Sequence, residues 1–477
     1  MVMFWIVISL CVFIFQAGTI LLLEYRRPAN ATAWLLILFL FPLVGFILYY
    51  FLATEYKRRR KVRKHAALDQ RRRALLLRQS TIMTNPEDSS YSNIASNKRL
   101  YRSLMKSGEL PISMKNHVEV YNNGEDTYRA MLTAIKNATQ HIHMSTYIVR
   151  DDETGKLFSK ALIEKAQQGV IVRLLYDGIG SIKLSDSFIR DLRAGGVLCA
   201  CFFPIRPSFR KKRMNYRNHR KIAVIDGKFG YVGGINIGDE YIGKHPRLGF
   251  WRDTHLQLEG DSVYQLQEVF LKDWEIATKE KLVDPQYFPI HDCDSKDEVQ
   301  IVSAGPDRRG DAIHETFYSM MSAAQNRIWI TTPYFIPSPS IAMALHDAAR
   351  SGLDVRIMMP YIPDTWLVHH ASMSYAEEML RSGVRVWQYH KGFIHAKTLL
   401  IDSMIGVVGS ANMDLRSFFS NFEINAHLFS AHPIERIEYD FLQDMEASVE
   451  LDYTTFRGRP RRRKVKEALA RLLSPLL

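Results

Sequence analysis

His219-Arg220-Lys221-Ile222-Ala223-Val224-Ile225-Asp226, with Gly233, Gly234 and Asn236 following, returns later in the chain as His395-Ala396-Lys397-Thr398-Leu399-Leu400-Ile401-Asp402, with Gly409, Ser410 and Asn412 at identical offsets. A chance His-Lys-Asp match would not reproduce the whole spacing. In an extended strand side chains two apart share a face, so each His and its Lys point the same way. Beyond the Lys, aliphatic residues occupy both faces, as in a strand buried on both sides. Such a strand sinks its far end in the core and presents an imidazole and an ammonium to a cleft, while Asn236 or Asn412 returns on the next segment. Two copies imply one paired site: a phosphate pocket that also carries a proton-transfer group.

The repeat extends well past these signatures. Lys165-Ala166-Gln167-Gln168-Gly169-Val170-Ile171-Val172-Arg173 parallels Ala348-Ala349-Arg350-Ser351-Gly352-Leu353-Asp354-Val355-Arg356, each a helix end, a Gly stop and a strand. Leu192-Arg193-Ala194-Gly195 matches Leu380-Arg381-Ser382-Gly383, and Thr146-Tyr147-Ile148 matches Pro333-Tyr334-Phe335. Helix and strand alternate in both halves, which predicts an α/β protein of two units, each a largely buried sheet flanked by helices. A pseudo-two-fold axis would bring the two signatures together.

A chain of 477 residues is too long for one core. Its formal net charge of +13 calls for an anionic partner, either nucleic acid or an acidic membrane surface, and charge alone does not choose. Cys11, Cys199, Cys201 and Cys293 contain no CxxC pair and are too few for a disulfide scaffold, which fits a reducing compartment.

Met3 to Leu23 is uncharged and mostly apolar, and so is Ala33 to Leu52; each is long enough to cross a bilayer as a helix. A cleavable signal peptide competes, since Ala29-Asn30-Ala31 resembles a cleavage site, but the basic leading segment is missing and the apolar run is too long. The second run is followed by Lys57-Arg58-Arg59-Arg60-Lys61-Val62-Arg63-Lys64, against only Arg26 and Arg27 between the runs. Positive-inside bias then puts everything downstream in the cytoplasm. The reading divides the chain into a transmembrane hairpin (residues 1–56), a basic stem and linker (57–112), two α/β units (113–295 and 296–456) and a basic tail with a helix (457–477).

His141 and His143 share a strand face, but no carboxylate or Cys cluster accompanies them, so they read as structural or cleft-lining rather than as metal ligands. In the tail, Val465, Leu469, Leu472 and Leu473 fall on one helical face behind a basic run. Either an ordinary docking helix or one lying on anionic headgroups has this pattern.

The duplicated His-x-Lys-x4-Asp-x6-Gly-(Gly/Ser)-x-Asn signature resembles that of the phospholipase D superfamily. The paired apolar runs, Thr332-Pro333-Tyr334-Phe335-Ile336-Pro337, Trp251-Arg252-Asp253-Thr254 and Ser474-Pro475-Leu476-Leu477 are similar to its bacterial cardiolipin synthase branch. The resemblance covers nearly the whole chain. It implies two phospholipase D-like units at the inner membrane of a bacterium. It also implies a phosphatidyl group passed from one phosphatidylglycerol to another, with glycerol released.

A phosphodiester repels an attacking oxygen and has a poor leaving group, so its exchange needs charge neutralisation, a nucleophile and an acid. On this reading one of His219 and His395 attacks phosphorus to form a phosphatidyl-histidine, and the other protonates the departing glycerol oxygen and later deprotonates the incoming hydroxyl. The superfamily's habit of using the first copy favours His219 as nucleophile. Lys221, Lys397, Asn236, Asn412 and Ser410 surround the phosphoryl oxygens, so neither metal nor other cofactor is expected. Gly234 stands where the second copy has Ser410, which makes the half-sites chemically unequal. The resemblance places an acidic partner for an imidazole at Asp253 and at Glu423. Asp226 and Asp402 belong to the catalytic signature but end strands, and read as mainly structural. The expected partners are phosphatidylglycerol and anionic membrane lipids rather than nucleic acid, with self-association left open. A membrane-bound phospholipase D that hydrolyses lipids is the alternative, and a nuclease or a silent scaffold stands behind it; alcohol rather than water as acceptor rests on the resemblance.

Overall fold

The computed structural model describes residues 1–24, 28–52, 66–88, 97–205, 215–307 and 311–476. The first half contributes β1 (Asn116–Asn123), β2 (His141–Thr146), β3 (Ile171–Asp177), β4 (Leu198–Phe202), β5 (Ile222–Ile225), β6 (Phe229–Gly233) and β7 (Phe250–Gly260). The second contributes β8 (Val299–Ala304), β9 (Arg327–Thr331), β10 (Phe335–Ile336), β11 (Asp354–Pro360), β12 (Arg385–Tyr389), β13 (Gly392–Ile394), β14 (Thr398–Ile401), β15 (Ile405–Gly409), β16 (Met413–Asp414), β17 (Glu423–Leu428) and β18 (Ser448–Glu450).

The strand order β1-β7-β6-β5-β2-β3-β4 of one sheet is repeated in the other as β8-β17-β15-β14-β9-β11-β12, with β18 added at the edge. The repeat legible in the sequence is therefore a repeat of topology. Both signature strands, β5 and β14, are buried along their whole length. Gly169 and Gly352 occupy the predicted helix stops with φ of 90° and 92°, a region that side chains beyond glycine rarely adopt.

Backbone pairing stitches the halves together. β13 leaves its own half and pairs in parallel with β7, setting Phe393 beside Trp251 and Ile394 beside Arg252. The amide of His395 then donates to the Arg252 carbonyl at 2.7 Å. The reciprocal contact sets Asn218 beside Phe422, with the amide of His219 donating to the Phe422 carbonyl at 2.9 Å. Arg220 is buried in this seam, where it pairs with Asp273 and donates to the carbonyls of Glu423 and Ala304 in the other half. Arg252 likewise pairs with Asp444 at 2.8 Å. Behind the seam Ile222, Val224 and Leu256 share one apolar core with Trp329, Leu400 and Val408. Each such side chain is worth roughly 1.5–3 kcal/mol when fully buried, so neither half is complete alone.

At the N-terminus Val2–Leu23 forms a helix of 22 residues, and its Met3–Leu23 stretch is the one described segment long and apolar enough to cross a membrane. The second apolar run is not the single span expected over Ala33 to Leu52. It folds as two helices, Pro28–Leu40 and Pro42–Leu52, of 13 and 11 residues. Proline at residue 42 has no N–H to carry the helix on, and the chain reverses there. The rings of Trp34 and Tyr49 end 5.5 Å apart, whereas a straight helix would hold them about 22 Å apart. A Cβ on Gly45 would lie 2.8 Å from the Ile37 carbonyl, so glycine is what lets the two helices touch. Neither helix reaches across a hydrocarbon core of ~30 Å. The basic run at residues 57–64 lies outside the described residues; part of the expected stem follows as the helix Ala66–Gln79.

Candidate active site

Because β13 pairs with β7 and the approach to β5 pairs with the approach to β17, each signature histidine is delivered to the other half's acidic strand. Nδ1 of His395 lies 2.7 Å from Asp253 Oδ2, and Nδ1 of His219 lies 3.0 Å from Glu423 Oε2. The acidic residues thus sit downstream of each signature, as expected, but serve the opposite copy. A carboxylate only accepts, so Nδ1 carries the proton in both rings and Nε2 keeps its lone pair for the cleft.

The lysines come in from the same strands. Nζ of Lys221 donates to the His219 carbonyl at 2.8 Å, and Lys397 makes the equivalent bond to His395. Burial pushes the ammonium of Lys221 down to about 7 and that of Lys397 to about 8, against the pull of Glu423 and Asp253. The lysines also depress each other's half-site: Lys397 acts on His219 and Lys221 on His395. Burial is the main force holding both imidazoles below their ordinary range, His395 to about 3. Burial would raise the carboxyls, but Lys397 and His395 hold Asp253 below its usual range, and His219 and Lys221 do the same for Glu423. The cleft thus holds two neutral imidazoles on charged carboxylates.

The unequal pair Gly234 and Ser410 in the repeat has a structural explanation. Ser410, expected beside the phosphate, is wholly buried and turns its hydroxyl onto Glu423 Oε2 at 2.5 Å. At Gly234 a Cβ would collide with Asp253 Oδ1, so this carboxylate packs where a serine would stand. Asn236 gives Nδ2 to the Tyr241 hydroxyl at 3.0 Å and accepts from the Ile148 amide. Asn412 is bonded to Asp414, and its Oδ1 has no partner among the described residues.

Asp226 and Asp402 lie at the far ends of β5 and β14 from the histidines. The Asp226 carboxylate accepts from the amides of Thr139, Gln140 and His141 at 2.7–2.9 Å. Asp402 accepts from Gln325, Asn326 and Arg327 at 2.8–3.1 Å. Both residues have positive φ, of 53° and 54°. They tie down the turns that launch β2 and β9. His141 and His143 are also at that far end, where His143 stacks on Phe270 at 4.7 Å and meets Arg173 and Gln267.

Sequence reasoning missed the walls of the cleft. Tyr147 packs edge-on against His219 at 4.9 Å and under Lys221, while Trp251 lies 5.0 Å from His395. Tyr334, the repeat partner of Tyr147, bonds to Asp364. The alignment of Thr146-Tyr147-Ile148 with Pro333-Tyr334-Phe335 was the available signal, read only as a landmark.

Residues 131–274 and 317–445 match the family described as "Cardiolipin synthase, PLD-like domain", and residues 3–53 match "Phospholipase_D-nuclease N-terminal". The chain belongs to the phospholipase D-like cardiolipin synthase family. It is 42% identical over 476 residues to a cardiolipin synthase of Geobacillus kaustophilus, covering 99% of this chain and 93% of that one. It is 39% identical to the major cardiolipin synthase ClsA of Bacillus subtilis, with 96% of each chain covered. A phosphatidylserine synthase structure from Haemophilus influenzae superposes with a TM-score of 0.62 at 14% identity, over 80% of this chain and 100% of that one, which shows the shared fold. Membership in the cardiolipin synthase family makes the chain a phosphatidyltransferase, and its apolar N-terminal helix associates it with the membrane.

Proposed function

We propose that the chain makes cardiolipin from two molecules of phosphatidylglycerol through a phosphatidyl-histidine intermediate, with His219 as nucleophile. The observation that carries this reading is the crossed pair of buried histidine–carboxylate contacts, His219 with Glu423 and His395 with Asp253, flanked by two lysines.

Nε2 of His219 attacks phosphorus as the P–O bond to the glycerol headgroup breaks, and protonated His395 gives its proton to the departing oxygen. Glu423 stabilises the cationic phosphatidyl-imidazole that forms. The glycerol hydroxyl of a second phosphatidylglycerol then loses its proton to His395 and attacks phosphorus; the P–N bond breaks and His219 is regenerated. Lys221 and Lys397 neutralise the phosphoryl oxygens in both steps, and the remaining N–H of each of the Asn236 and Asn412 amides is a neutral donor to them. Ser410 acts one step removed, by holding Glu423. Asp226 and Asp402 act on the fold.

The membrane arrangement follows from charge and length. Val2–Leu23 crosses once, and the hairpin of Pro28–Leu40 and Pro42–Leu52 enters and leaves on one side. Positive-inside bias then puts both catalytic halves on the cytoplasmic side. The test of the activity is the product mixture from purified protein and phosphatidylglycerol vesicles. Cardiolipin and free glycerol in equal amounts are expected, and phosphatidic acid as the dominant product would favour hydrolysis.

A further inference from the structure

We propose that the C-terminal helix Arg461–Leu473 is a membrane-surface element that seats the mouth of the active site on anionic lipid. The helix is two-faced. Glu467 and Ala470 are buried against the helix Trp366–Arg381, whereas Val465, Leu469 and Leu472 on the other face are 58%, 54% and 48% exposed. Ion pairs to the helix Trp366–Arg381 fix its orientation: Arg459 bridges Glu377 to Glu467, and Arg471 pairs with Glu378. The apolar stripe is therefore held outward rather than left to roll into the protein.

Arg461, Arg462, Lys464 and Lys466 make no ion pair among the described residues, and Arg462 and Lys466 fall on the same arc as the stripe. An apolar stripe interleaved with unpaired cations matches the boundary between acyl chains and anionic headgroups. Continuity with the membrane hairpin identifies the occupant. The helix runs directly into Ser474–Leu476, and Leu476 packs into the cluster of Ile20, Trp34, Leu38 and Tyr49 from the apolar N-terminal helices. The helix that carries this element begins at Trp366, which is 56% exposed and two residues from Asp364, the partner of Tyr334 beside the cleft. Asp364 also acts electrostatically on Lys397, which ties this end of the helix to the site.

The test uses full-length protein with Leu469→p-benzoylphenylalanine, reconstituted in vesicles of phosphatidylglycerol and phosphatidylcholine and irradiated, with mass spectrometry of the adducts. The account expects lipid adducts at position 469, with a yield reduced at least threefold by Arg462→Glu plus Lys466→Glu, positions too exposed to disturb folding. Adducts to protein alone, or a yield indifferent to those charges, would overturn it. The same result is expected in His219→Ala protein, so the outcome does not depend on the transfer chemistry.

Discussion

Asp253 and His395 lie 142 residues apart in sequence and 2.7 Å apart in space, in opposite halves of the chain. Glu423 and His219 make the mirror-image contact at 3.0 Å. Each half thus supplies the imidazole of one half-site and the carboxylate of the other. Asp253→Asn and Glu423→Gln are therefore expected to lower turnover on the order of 10²-fold or more, since each removes the charge that orients an imidazole and stabilises its cation. A double-mutant cycle measured on turnover should couple Asp253 to His395 more strongly than to His219. Stronger coupling within a half would contradict the crossed arrangement.

Asp226→Asn and Asp402→Asn should instead act on stability. Each carboxylate satisfies three turn amides, so a loss of about 1–3 kcal/mol is expected in denaturant unfolding, with near-normal turnover per folded molecule. A folded variant with a 10²-fold loss of turnover would return these residues to the catalytic set.

The Gly234 and Ser410 positions should respond unequally to alanine. Ser410→Ala removes one donor from Glu423, and a loss of about tenfold is expected, equivalent to ~1.4 kcal/mol of barrier. Gly234→Ala drives a Cβ into Asp253 and should cost more than Ser410→Ala. Kinetics on the two purified variants decide this, and the reverse ranking would contradict the packing described.

How much of this was legible beforehand differs from residue to residue. The repeated spacing from His219 and from His395 marked the paired site and its buried strands, because period-two patterning and doubled motifs are local properties. The swap of Asp253 and Glu423 between halves was not legible, since it depends on β13 leaving its own sheet to pair with β7, a long-range choice that no local pattern records. The break at Pro42 lay in plain view, yet hydropathy averages over it, and apolar length alone predicted a second span where the chain turns back.

Binding of an anion should draw protons into the site. With Lys221 near 7 and Lys397 near 8, much of their charge is absent at pH 8, and a phosphodiester beside them favours the charged forms. Titration calorimetry with dimethyl phosphate, whose own charge is fixed, in buffers of different ionisation heat should show proton uptake at pH 8. The same sign makes affinity fall as pH rises through and above that range. Proton release on binding would contradict the assignment.

Covalent capture tests the central claim most directly. Phosphatidylglycerol labelled at phosphorus is mixed with His219→Ala, His395→Ala and unmodified protein and quenched rapidly. The account predicts an acid-labile phosphoramidate in His395→Ala protein, formed slowly because its proton donor is missing, and none in His219→Ala protein. Absence of labelled protein in every case, including the unmodified enzyme, would contradict a phosphatidyl-histidine and leave direct attack by the acceptor hydroxyl in its place.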